Sequence, residues 1–139
     1  MPTDFAPGPA QSADGAPPFA SEALLDAEKL DCYRLAVEFQ ALATRLVPRR
    51  NHGVLRDQLD RASVSIVLNI AEGAGRVSPA DKARFYAMAR GSATECAAVM
   101  DLLWARGLLD AALRHRCRSL LVRIVQMLTR LGASMVQSQ

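Results

Sequence analysis

Eight residues stand at spacings that could support chemistry. Gln58, Arg61, Ser65, Asn69 and Glu72 recur every three or four positions through DQLDRASVSIVLNIAEGAGR, and Arg90, Ser92 and Glu95 follow in ARGSATE. Helical spacing sets the first five along one edge of a helix. Two carboxylates among arginines could divide acid and base work if their surroundings separated their pKa values. The same charges also serve as ion pairs between helices or subunits. That reading is preferred, because no nucleophile completes the group: Ser65 and Ser92 lack a histidine at a useful spacing, with His52 in a turn and His115 on a basic helix. The chain is therefore not expected to be an enzyme.

Other chemistry fails on spacing. Bundle metal sites use Glu-x-x-His, and neither histidine has a glutamate three residues before it, so no metal or cofactor is expected. EGAGR follows a helix and lacks the lysine of a phosphate loop. It reads as a helix end with Gly73 or Gly75 in the left-handed conformation. Cys32, Cys96 and Cys117 are widely spaced and fall on or beside apolar stripes, which predicts small core residues in a reducing compartment.

Four helices must position these groups. Residues 1–21, rich in Pro, Gly and Ala, cannot keep a helical ladder and predict a flexible tail, leaving 22–139 as one bundle domain. The first helix starts between Ser21 and Asp26 and runs to about Leu46, stopped by Pro48. Leu30, Tyr33, Val37, Ala41 and Thr44 form one stripe, with Leu35, Phe39, Leu42 and Leu46 nearly opposite. The second, about 54–74, has a core stripe of Leu55, Leu59, Ala62, Ile66, Ile70 and Gly73, while Val64, Val67, Leu68 and Ala71 point elsewhere. Extra apolar faces on both helices ask for a partner beyond one bundle core. The third starts at Ser78 as N-cap with Pro79 and Asp81 behind it. It continues along Tyr86, Ala89, Ala93, Cys96, Met100 and Leu103, where small residues around Gly91 permit a close approach. The fourth, capped by Asp110, runs along Leu113, Cys117, Leu120, Ile124, Leu128 and Leu131 to about Met135. Short connections make this an all-α, antiparallel up-down-up-down four-helix bundle. The polar seam then predicts a network between the second and third helices, with Arg61 or Arg90 neutralising Glu72 or Glu95, since an unpaired buried polar group costs about 1–3 kcal/mol.

Charge adds a second candidate surface. The net charge of +3 hides an acidic start and a basic remainder, and all but Lys29 and Lys82 of the basic residues are arginines. Arginine offers planar forks for phosphates and base edges, although a GC-rich coding sequence gives the same bias. Arg116, Arg123 and Arg130 recur every seven residues on one flank of the fourth helix and Arg114 and Arg118 on the other, with no acid after Asp110. Scattered charge is commonly a solvated face. Repeated on the copies of an oligomer, however, these five would gather RNA or DNA phosphates with strong salt dependence. The fourth helix carries no stacking aromatics, which argues against sequence-specific single-strand recognition. Without a signal-like start or a long uncharged apolar run, the expected location is the cytoplasm, with no membrane partner.

The two quoted segments resemble the 23S rRNA intervening-sequence protein family, whose pattern reads roughly Q-x-x-R-A-x-x-S-I-x-x-N-I-A-E-G and then A-R-G-S-x-x-E. Gln58, Arg61, Ala62, Ser65, Ile66, Asn69, Ile70, Ala71, Glu72 and Gly73 fill the first part, and Ala89, Arg90, Gly91, Ser92 and Glu95 the second. The resemblance implies a four-helix bundle assembling as a ring-shaped homopentamer. One branch, the accessory variability proteins of diversity-generating retroelements, is similar in fold and uses a basic surface to bind a reverse transcriptase and its RNA. The expectation is thus a non-enzymatic homo-oligomeric scaffold, associated through its arginines with nucleic acid or a nucleic-acid enzyme. The alternative is a protein-directed adaptor.

Overall fold

The computed structural model describes residues 23–47 and 50–138, so the tail and Pro48 lie outside the described residues. A 3-10 turn at Asp26–Lys29 leads into four helices: α1 (Asp31–Ala43), α2 (Gly53–Gly75), α3 (Pro79–Ala105) and α4 (Ala111–Gln137). Among the described residues there is no strand. The first helix is shorter than expected because Leu30 is extended (φ −91°, ψ 128°) and separates the 3-10 turn from α1.

The ends follow local chemistry. Ser78 accepts from the Asp81 N–H at 3.2 Å and Asp110 from the Leu113 N–H at 2.8 Å, each satisfying an otherwise orphaned donor. Gly107 closes α3 with φ +70°, a conformation that glycine adopts without a Cβ penalty. Asn51, at φ 69°, turns the chain into α2.

Neighbouring helices are antiparallel. Along α2 and α3, Ser65 meets Ser92 and, farther along α2 but earlier in α3, Gly73 meets Tyr86. Arg90 reaches Thr129 while Trp104 meets Arg114, which reverses α4 against α3. Glu38 pairs with Arg116, and Leu30 and Cys32 line a groove with Met127 and Leu131, which reverses α4 against α1. The helices therefore form a closed up-down-up-down circuit in which α1 touches α2 and α4, and α3 touches α2 and α4.

Leu59, Ile66, Ile70, Ala93, Cys96, Leu103, Ile124 and Leu128 are almost fully buried, and the expected stripes of α2 and α3 form the core. In α1 the expectation needs correction. Its core face is Cys32, Ala36, Phe39 and Ala43, whereas Val37, Ala41 and Thr44 are exposed and Leu35, Leu42 and Leu46 pack at the margin. Phe39 is buried together with the small Cys32, Ala36 and Ala43, which line the close approach of the neighbouring helices, so Leu35, Leu42 and Leu46 fill its sides. By length and composition α4 could cross a membrane. Its stripe of Cys117, Leu120, Leu121, Ile124 and Leu128 is instead buried against the other helices.

Candidate functional site

The polar seam runs along the α2 edge nearest α3, and its middle is a compact hydroxyl and amide cluster. The Ser65 and Ser92 hydroxyl oxygens lie 2.8 Å apart, so one donates to the other. Asn69 donates through Nδ2 to the Ser65 carbonyl at 2.9 Å and to its hydroxyl at 3.0 Å. Ser92 can also donate to the Met88 carbonyl, 3.2 Å away. Three half-buried side chains thus satisfy one another and lock the level of α2 against α3.

The charged members of the seam behave differently from the expected ion-pair scheme. Glu72 pairs along its own helix with Arg76 at 3.3 Å, and Arg90 turns to α4 and donates to the Thr129 hydroxyl at 3.2 Å. Arg61 and Glu95 are exposed and form no salt bridge among the described residues. The physical reason is their angular position: each stands a step farther outward than the serines, so it meets solvent before the opposite helix. Gln58 is half-buried at the start of the seam.

The two glycines of EGAGR are corrected as well. Neither has a positive φ; α2 continues through Gly75 and is capped at Arg76. Gly73 is there for space, because a Cβ would lie 2.8 Å from Tyr86 Cε1 and 3.1 Å from Phe85 Cβ. Lys82 closes the end of α2 by donating from Nζ to the Gly73 and Ala74 carbonyls at 3.3 and 2.8 Å. Arg76 and Arg84 both stack on Phe85, 4.8 and 4.6 Å from the ring centroid. Of the small residues expected to permit a close approach, Ala89 and Ala93 are fully buried in the core, whereas a Cβ at Gly91 would meet nothing within 4 Å.

Outside this seam lies an apolar surface. Val64 and Leu68 on α2, and Met88 and Leu102 on α3, are 40–58% exposed. Two shallow grooves follow the outer side of α2, one lined by Asp60, Arg61, Val64, Ser65, Leu68 and Asn69, the other by Leu68, Ala71, Glu72, Gly75 and Arg76. The sequence separates Val64 and Leu68 from the core stripe, but it does not single out Met88, Leu102 and Arg84, because the core stripe dominates the pattern of α3. The run Arg84, Met88, Gly91, Glu95 and Leu102, at steps of four, three, four and seven, is the signal that could find them.

The arginines of α4 divide between two sides. Arg116, Arg123 and Arg130 are exposed on the α1 side, Arg116 bridging to Glu38 at 3.6 Å and Arg130 lining the groove with Lys29 and Asp31. Arg114 stacks on Trp104 at 4.8 Å, and Arg118 borders a small groove with Asp101 on the α3 side.

The three cysteines are free and buried. Burial pushes the thiol of Cys32 up to about 11 and that of Cys96 to about 12, and raises that of Cys117, so each stays a protonated, inert thiol at neutral pH. No cluster of three or more metal-ligating side chains occurs among the described residues.

No functionally curated protein matches the chain. Residues 28–130, most of the sequence and all four helices except the last residues of α4, match the model of the 23S rRNA-intervening sequence proteins. The match contains the hydroxyl cluster, its charged edges and the α4 arginine row, and by this match the chain belongs to the 23S rRNA-intervening sequence protein family.

Proposed function

We propose that this protein is a non-enzymatic, homo-oligomeric scaffold of the cytoplasm that associates with nucleic acid, alone or with an enzyme that acts on it. The observation that supports the reading is the division of the surface: an apolar α2–α3 face suited to self-association, and an exposed row of Arg116, Arg123 and Arg130 on the far side of the bundle. The row rises about 21 Å along α4, comparable to about six phosphate steps of one strand. Its arginines offer forked donors to phosphate oxygens. Without aromatic partners on α4 they read backbone charge rather than base identity. A ring of five, as the family resemblance implies, would present five such rows and multiply a weak contact through avidity.

Light-scattering mass, measured with and without a structured RNA at low and moderate salt, tests this reading. The expected result is an oligomeric mass that rises with RNA and falls back as salt is added. An oligomer indifferent to RNA would transfer the function to protein-directed assembly. A monomeric mass would overturn the scaffold reading altogether.

A further inference from the structure

We infer that the outer face of α2 docks on the outer face of α3 of a second copy, with the two helices antiparallel and Arg61 and Glu72 of one copy paired with Glu95 and Arg84 of the other. The inference rests on the homo-oligomeric reading above and specifies its interface.

Both helices carry the same charge frame. Arg61 precedes Glu72 by eleven residues on α2, and Arg84 precedes Glu95 by eleven on α3, in each case about three helical turns. All four side chains are exposed. Arg61 and Glu95 form no salt bridge among the described residues. Glu72 and Arg84 hold only local contacts, Glu72 with Arg76 at 3.3 Å and Arg84 with Asp81 at 3.9 Å and with the Phe85 ring, and the paired side chains are 44–59% exposed. Such solvated pairs are weak and can be exchanged. Parallel docking of α2 on α3 would set arginine against arginine and glutamate against glutamate. Antiparallel docking sets each against its opposite, which is the complementarity that fixes register at an interface.

The geometry of one chain carries this register to a pair of chains. The Ser65–Ser92 contact makes Arg61 level with Glu95 and Glu72 level with Arg84. A rotation about an axis parallel to the bundle leaves heights unchanged, so any cyclic assembly around such an axis keeps the same levels between copies. Between the charges the surfaces are complementary in size. Val64 and Leu68, 40% and 58% exposed, straddle the level of Gly91, and Leu68 comes close to the level of Met88. The exposed Gly91 has nothing within 4 Å of a built Cβ, which leaves room there for a side chain of the neighbouring copy.

Charge reversal separates this inference from the reading beneath it. With folding checked by circular dichroism, Arg61→Glu or Glu95→Arg should each raise the concentration for half-dissociation by about tenfold or more. The double variant Arg61→Glu with Glu95→Arg should return it close to the wild-type value. Single reversals that fold and retain the wild-type mass would overturn the proposed contact while leaving an oligomeric scaffold standing, as would a double variant no better assembled than the singles. A monomeric wild-type protein would remove both.

Discussion

The α2–α3 face and the α4–α1 face are built from the same kind of helix, yet they use their outer positions in opposite ways. On α2 and α3, the uncharged polar groups Ser65, Asn69 and Ser92 are drawn into one cluster, and Val64, Leu68, Met88 and Leu102 are left outside among the exposed charges of Arg61, Glu72, Arg84 and Glu95. On α4 and α1, the main apolar stripe is inside, and the charges of Arg116, Arg123, Arg130, Glu38 and Arg34 stand outside with the scattered Val37 and Val122. The second arrangement is what a solvated or phosphate-facing surface requires. The first pairs its uncharged polar groups between the helices, and leaves apolar area that water covers at a cost of roughly 25 cal/mol per Å². The contrast teaches that motif residues in a bundle need not mark a catalytic centre: here they set the register of two helices whose outer sides are left free.

The comparison can be broken most severely at Gly73. Gly73→Ala should destabilise the fold by about 1–3 kcal/mol in a urea titration, because its Cβ would press on Tyr86 and on the Cβ of Phe85. Gly91→Ala, on the open side of the same helix pair, should stabilise the isolated fold instead, by about 0.5–1 kcal/mol. Equal losses at both positions would erase the distinction between a packed inner and a free outer side.

Charge reversal of Arg123 and Arg130 probes the opposite face. Replacing both with Glu should leave the urea midpoint nearly unchanged, while RNA retention falls by about tenfold or more and the salt slope flattens by about one unit for each phosphate that is no longer neutralised. The same reversal on α2, at Arg61, should alter assembly rather than the salt slope. Next in size is Asn69→Leu, which removes both bonds to Ser65 and should cost about 1 kcal/mol together with some precision of assembly. Unchanged stability and assembly in that variant would demote the cluster from register device to bystander.

The smallest effect near neutral pH is expected from the cysteines. Their thiols ionise near 9.0 when unfolded, and in the fold burial raises Cys32 to about 11 and Cys96 to about 12. Because the folded state holds its protons longer, stability is flat below about pH 9 and falls as pH rises through the folded values. A urea series in reductant, from pH 7 to 10.5, should therefore show a level midpoint followed by a decline. A midpoint that rises above pH 9 would contradict the buried, protonated thiols.

Much of this molecule is legible in its sequence. The stripes Leu55 to Gly73 and Tyr86 to Leu103, the caps Ser78 and Asp110, and the exclusion of Val64 and Leu68 from the core follow from a 3.6-residue period and from hydrogen-bonding capacity, both of which are local properties. Where sequence reading fails, the deciding contact comes from another helix. Period alone ranks the large residues of α1 above Cys32, Ala36 and Ala43, because it does not say how near a neighbour will come. Gly73 has the look of a turn residue, yet Tyr86 occupies the space of its missing side chain. Arg90 has the spacing of a partner for Glu72, yet α4 supplies Thr129. Sequence by itself determined the number of helices, the inward faces of α2, α3 and α4 and the density of arginine on α4. Only the tertiary structure decided which polar groups meet, which glycine is forced, and which apolar residues remain outside, because each depends on the distance and rotation of a second helix that no single helical period encodes.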